Sequence, residues 1–237
     1  MSDTIRITDF GDPQYSEDAR GLMEGMAYLA ASIELSPQWL MGQASEQTGL
    51  SDFGDQAFQP RLELLCEALA NDVELSPGGV VTFGMQVTGF LKNRLLLQEL
   101  LSEHPEIHDI EIKRPIIIAG MPRTGTTHLH NMLAADPTLR ALPYWESNEP
   151  ILAKSEIVAP GEPDPRIART AMGIGVLDLV APHFKRMHEM TPDHAHEEVG
   201  LLSMYMTSIF LETLAPIRTW LAADLQLANA LSPAAVR

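Results

Sequence analysis

Residues 113–136 read KRPIIIAGMPRTGTTHLHNMLAAD. Residues 115–119 form a β-branched apolar run of strand length, and Gly120 closes it. Gly120-Met121-Pro122-Arg123-Thr124-Gly125-Thr126-Thr127 has the glycines and hydroxyls of a tight turn. After it, Leu129, Met132 and Leu133 recur at helical spacing. Strand, turn and helix in that order aim backbone N–H groups and the positive end of a helix dipole at one point. Such a point attracts an anion.

The turn approaches the nucleotide-hydrolase pattern G-x-x-x-x-G-K-[ST] and departs from it in one place. Gly120 and Gly125 have the right spacing, and Thr127 holds the hydroxyl position. The lysine position is Thr126, and the nearest cation is Arg123. Without the lysine, ordinary ATP hydrolysis is disfavoured, so a P-loop nucleotide kinase is the weaker alternative. An arginine suits the replacement role because its planar fork grips phosphate or sulfate oxygens in pairs.

Residues 122–127, PRTGTT, resemble the 5′-phosphosulfate loop of sulfotransferases in its arginine form, as found in bacterial and tyrosylprotein-type members. Residues 47–55, Asn93-Arg94 ahead of His104-Pro105, Asp136-Pro137 and Tyr144-Trp145-Glu146 fit a bacterial sulfotransferase family as well, so the resemblance spans residues 15–220. It implies an α/β, P-loop-containing nucleotide-binding fold with a parallel sheet. It also implies sulfuryl transfer from 3′-phosphoadenosine 5′-phosphosulfate (PAPS) to a small-molecule hydroxyl, with no metal. The phosphosulfate site would consist of Pro122, Arg123, Thr124, Gly125, Thr126 and Thr127, with Arg123 steadying charge on the bridging oxygen. The resemblance assigns Glu146 as catalytic base; Glu149 is the reserve.

The domain boundary is expected near residue 110: a helical segment over 1–110, then the P-loop core over 111–237. Ser36-Pro37 and Ser76-Pro77 read as helix starts, and a further helix is expected from Glu17. Phe53 is expected to plug the turn at 48–55. A long helix should run to Glu103 despite Gly84 and Gly89. Leu139 to Leu142 is the candidate second strand, and in a parallel sheet its end faces the same crevice as the loop. A helix is expected from Arg166 to Leu179, another from Asp193 as cap through Leu214, and another at Thr219-Trp220. Residues 227–237 carry weak signals.

The family's grip on the donor's 3′-phosphate uses an arginine and a serine beyond an apolar helix such as 199–214. Arg218 and Arg237 lack that context. The sequence therefore resembles the N-terminal two-thirds of a sulfotransferase, truncated and with an incomplete sheet; an inactive fragment is one alternative. A completing chain, a homo-oligomer or a nucleotide-binding assembly protein are the others.

The net charge of −16 over 237 residues disfavours nucleic acid and anionic membranes as partners, although an enclosed loop still admits a small anionic nucleotide. One cysteine, Cys66, on an apolar helix face, points to a reducing, cytoplasmic setting. No apolar run reaches membrane-spanning length. The polar concentration from His183 to Glu198 contains Asp193-His194-Ala195-His196-Glu197-Glu198. His-x-His with carboxylates has the form of a metal half-site, but no further ligands stand at characteristic spacing. His194, His196 or Glu197 is a second candidate base. The 12 methionines fill the core or line an apolar acceptor pocket, which weakly suggests a lipid, steroid or phenol-like alcohol.

Overall fold

Serine hydroxyls start the N-terminal helices. In the computed structural model, which describes residues 6–9, 11–121, 123–188 and 190–230, helix α1 spans Glu17–Ala30. Ser16 Oγ accepts the Ala19 N–H at 3.2 Å and caps it. Helix α2 spans Pro37–Thr48; Ser36 Oγ accepts from Trp39 N at 3.3 Å, and Gly49 closes the helix at φ +71°. Helix α3 spans Gln59–Asn71 and α4 spans Pro77–Glu103, the latter capped by Ser76 Oγ on Gly79 N at 3.1 Å. Gly84 is tolerated inside α4 for a packing reason. A Cβ there would lie 2.8 Å from Ile33 Cγ2, so the glycine lets α4 pass close to the chain after α1.

The core sits among α2, α3 and α4. Leu40, Ala44, Leu62, Leu65, Phe83, Val87, Leu91 and Leu95 are buried in one cluster with Met206, Leu211, Ile217 and Trp220 from the far end of the chain. Helix α10, Arg218–Ala230, delivers Trp220. Its start is pinned by Asp72, whose carboxylate accepts the Thr219 N–H at 2.7 Å and the Thr219 hydroxyl at 2.8 Å. The backbone bond first, then the hydroxyl bond, holds the Asp72 carboxyl below its usual range. Cys66 is buried in the same cluster, and burial pushes its thiol up to about 12, so it is not a thiolate nucleophile.

Phe53 does plug its turn: it is buried 5.8 Å from the Phe58 ring. Arg94 of α4 ties the turn down. Its Nε donates to Phe53 O at 2.7 Å, its Nη2 to Asp55 O, and its guanidinium lies 4.3 Å from the Phe58 ring centroid. Burial pushes this guanidinium below its usual value, so the two carbonyls and the aromatic face hold a cation with little water around it.

The sheet differs from expectation. No strand forms among the described residues. Residues 115–119 are extended but unpaired, with Ile116 60 % and Ile117 81 % exposed. A parallel strand needs neighbours that supply its ladder, and among the described residues none pairs with this run. The candidate strand at 139–142 does not form; the residue after it, Pro143, makes an isolated antiparallel bridge to Ala195. That bridge also accounts for the missing helix start at Asp193. Residues 192–196 spend their backbone groups on residues 142–145, and helix resumes only as α8, Val199–Ser203, and α9, Phe210–Leu214. Met206, at φ +54°, breaks the run between them.

The remaining elements are α5, Thr126–Ala134; α6, Tyr144–Asn148; and α7, Pro165–Val180, whose cap Asp164 accepts the Arg166 N–H at 2.9 Å. Among the described residues, no helix is long and apolar enough to cross a membrane.

Candidate functional site

Two left-handed residues shape the turn at 120–127: Arg123 at φ +66° and Gly125 at φ +96°. Glycine meets the second requirement without strain, while Arg123 holds a conformation that L side chains rarely adopt. Gly120 is needed for space. A Cβ there would lie 2.9 Å from Thr126 Cγ2 and 3.3 Å from Thr124 Oγ1. Thr124 Oγ1 donates to Met121 O at 2.6 Å and braces the turn from inside.

Gly125 is the N-cap of α5 and has no side chain to offer, so no side-chain acceptor caps the helix. The first N–H groups of a helix have no partner within it. Here they are presented together with the Thr126 and Thr127 hydroxyls at the positive end of the helix dipole. The cradle was expected to be enclosed, but Arg123, Thr124 and Gly125 are exposed. Pro122 lies outside the described residues.

Arg123 does not hang free over the turn. Its Nη1 donates to Met187 O at 3.3 Å, which links the loop to the segment after α7. That segment then reaches α6. Tyr144 N donates to His194 O at 3.0 Å, Trp145 N to Pro192 O at 3.0 Å, and His196 N to Leu142 O at 2.8 Å. From the other side, Asn93 Nδ2 of α4 donates to Asn148 O at 2.7 Å. Helix α6 is therefore fixed at both ends, and it carries Glu146.

Glu146 is mostly buried at its side chain and paired with Arg140, whose Nη2 lies 2.5 Å from Oε1 and 2.7 Å from Oε2. Arg140 itself projects into solvent. Next to Glu146, the Trp145 ring lies 4.5 Å under the Arg166 guanidinium. Glu149 is differently engaged. Arg169 grips it through Nε and Nη2 at 3.0 and 2.6 Å and takes Glu156 at 2.9 Å. Pairing with Glu149 first pushes the Arg169 guanidinium up. Glu149 thus has a structural partner on α7, which weakens it as reserve base.

The histidines form a packed group. His194 Nε2 lies 3.0 Å from His196 Nδ1, and both rings pack on Tyr144 at 5.1 and 4.6 Å between centroids. His188 meets the two rings edge-on at 5.8 and 6.3 Å. Burial pushes His196 down to about 4, His194, His188 and His130 push the same way, and Glu197 opposes them. Among the described residues, no group of three or more His, Cys, Asp or Glu is arranged to hold a metal ion. The spacing His-x-His was visible in sequence; that the two rings bond each other, and that Tyr144 lies against both, was not. Arg140 and the Met187 carbonyl, which hold Glu146 and Arg123, carried no signal.

A family model described as the sulfotransferase family matches residues 115–225 of the chain, which include the turn, α6 and the histidines. Among solved structures, a sulfotransferase from Mycobacterium tuberculosis is 27% identical with a TM-score of 0.60, covering 80% of this chain and 52% of that one. A sulfotransferase from Mycobacterium avium is 24% identical with a TM-score of 0.62, covering 76% of this chain and 46% of that one, and shows likeness of fold. The chain thus spans about half the length of these two solved chains. No curated protein matches.

Proposed function

We propose that the chain, whose residues 115–225 match a model of the sulfotransferase family, carries the donor cradle and the base of a PAPS-dependent sulfotransferase acting on the hydroxyl of a small molecule. One observation carries the reading. The left-handed pair Arg123 and Gly125 delivers an uncapped helix N-terminus, flanked by Thr126 and Thr127, within the matched stretch. The N–H groups of residues 123–127 would hold the donor's 5′-phosphate, and both threonine hydroxyls would add bonds. Arg123, released from Met187 O, would meet the charge that builds on the bridging oxygen. PAPS supplies an activated sulfuryl group whose transfer depends on alignment and charge stabilisation rather than on covalent help from the protein.

Glu146 is the proposed base. Its carboxylate is held on an anchored helix, and its partner Arg140 is exposed enough to swing away. An incoming hydroxyl must share the carboxylate with that arginine or displace it. General-base assistance contributes about 10²–10⁴-fold in rate. Glu146→Gln should therefore lose turnover by that factor while binding adenosine 3′,5′-bisphosphate as the wild type does. Near wild-type turnover would remove Glu146 from the role.

A second reading is a donor-binding or assembly protein without turnover of its own. The unpaired, exposed run around Ile116 and Ile117 favours it, because a strand this apolar gains most from further strands beside it. Donor binding with no turnover under any acceptor tried would select this reading.

A further inference from the structure

The stretch formed by residues 187, 188 and 190–196 bridges both halves of the site. It accepts Arg123 through Met187 O, holds α6 through two backbone bonds, from Tyr144 and Trp145, and holds Leu142 just ahead of α6 through the His196 N–H. Three of its side chains are histidines, His188, His194 and His196, in mutual ring contact and resting on Tyr144 of α6. A fourth, His130, acts on His196 from α5, the helix of the cradle.

The distances favour one placement of the protons. His194 Nδ1 lies 2.6 Å from Thr191 O, which only accepts, so Nδ1 carries a proton; the Thr191 N–H is farther away, at 3.3 Å. With both rings neutral, His194 Nε2 then accepts the proton of His196 Nδ1 across 3.0 Å. The bond works because the two facing nitrogens share one proton. A first added proton, on His196 Nε2, leaves that bond in place but buries a charge, and a second would oppose N–H to N–H at that distance. The charge on His196 would also sit against the edge-on ring of His188 and within reach of His130, with Glu197 Oε2 at 3.6 Å as the nearby carboxylate.

We propose that this histidine group is an acid-sensitive clasp: neutral, it holds the Arg123 loop and the Glu146 helix together; protonated, it lets the bridging stretch come away from both. Neutral His196 is favoured in the closed form, where burial pushes it down to about 4, whereas an unburied histidine titrates near 6.5. Acid therefore shifts the balance toward opening across that window, by about tenfold per pH unit for each proton taken up. The clasp is independent of the sulfuryl-transfer reading, since closure involves only the protein's own groups.

Amide hydrogen exchange on the full chain without ligand tests it. Protection factors of the Tyr144, Trp145 and His196 amides should fall about fivefold between pH 6.5 and 5.5 while those of α4 hold. The same fall should shrink in His196→Gln and in His188→Gln, and two variants guard against one failing to fold. Unchanged protection of the three amides across this range overturns the proposal. So does a loss shared equally with α4, or a fall that both folded variants reproduce in full. Titration of adenosine 3′,5′-bisphosphate belongs to the earlier reading alone, and its failure leaves the amide result standing.

Discussion

Arg140 holds Glu146 through a single guanidinium nitrogen, 2.5 Å from one carboxylate oxygen and 2.7 Å from the other. The arginine is 71% exposed and the glutamate 21%. With the arginine end in solvent, a pair of this kind contributes about 0–1 kcal/mol. Arg140→Ala should leave urea-unfolding stability within about 1 kcal/mol of the wild type. Turnover, followed as release of adenosine 3′,5′-bisphosphate, should be at least as fast, because the acceptor hydroxyl no longer shares the carboxylate. A large stability loss would make the pair structural and Glu146 a poor candidate base.

Gly200 tests how far α6 depends on its neighbour. A Cβ at this position in α8 would lie 2.7 Å from Ser147 O, a backbone atom one residue after Glu146. Overpacking against backbone costs about 1–3 kcal/mol. Gly200→Ala should lower stability by that amount and lower turnover more than donor affinity, since α6 shifts while the cradle does not. Urea unfolding and a comparison of kcat with donor KM decide it; a neutral variant would mean that α8 yields freely.

The junction between α3 and α10 predicts a pH effect. The folded state holds the Asp72 carboxyl below its usual value through the two Thr219 bonds. A depressed carboxylate stabilises above its unfolded pKa, about 3.9, and the contribution is lost as pH falls through the folded value. The stability gap between wild type and Asp72→Asn should be full at neutral pH and close below that range. Chemical unfolding at several pH values measures it, and a gap that persists undiminished in acid would assign the effect to shape rather than charge.

Local signals in the sequence were reliable. Ser36 and Ser76, each ahead of a proline, start helices where they should, because a cap needs only its own next three residues. The turn at 120–127 was legible as a turn for the same reason: Gly120 and Gly125 are required by contacts and dihedrals inside it. Pairing over distance was not legible. The run 115–119 has the composition of a strand, but composition does not supply a neighbour, and Ile117 is left in solvent. The bridge between Pro143 and Ala195 joins positions far apart in the chain and diverts residues that otherwise read as a helix start at Asp193. Glu149 and Arg169, 20 residues apart, are of the same kind; each is an ordinary charged residue until the fold brings them together.

The central claim is that the turn at 120–127 holds the 5′-phosphate end of a phosphosulfate donor through Arg123 and the start of α5. Calorimetric titration of adenosine 3′,5′-bisphosphate and of ATP into the wild type and Arg123→Ala tests it most directly. The account predicts that the wild type binds the bisphosphate in preference to ATP and that Arg123→Ala weakens this by about tenfold or more, the loss expected for a charge-assisted contact. Equal or better binding of ATP, no binding of the bisphosphate, or an Arg123→Ala variant that binds it like the wild type would contradict the claim.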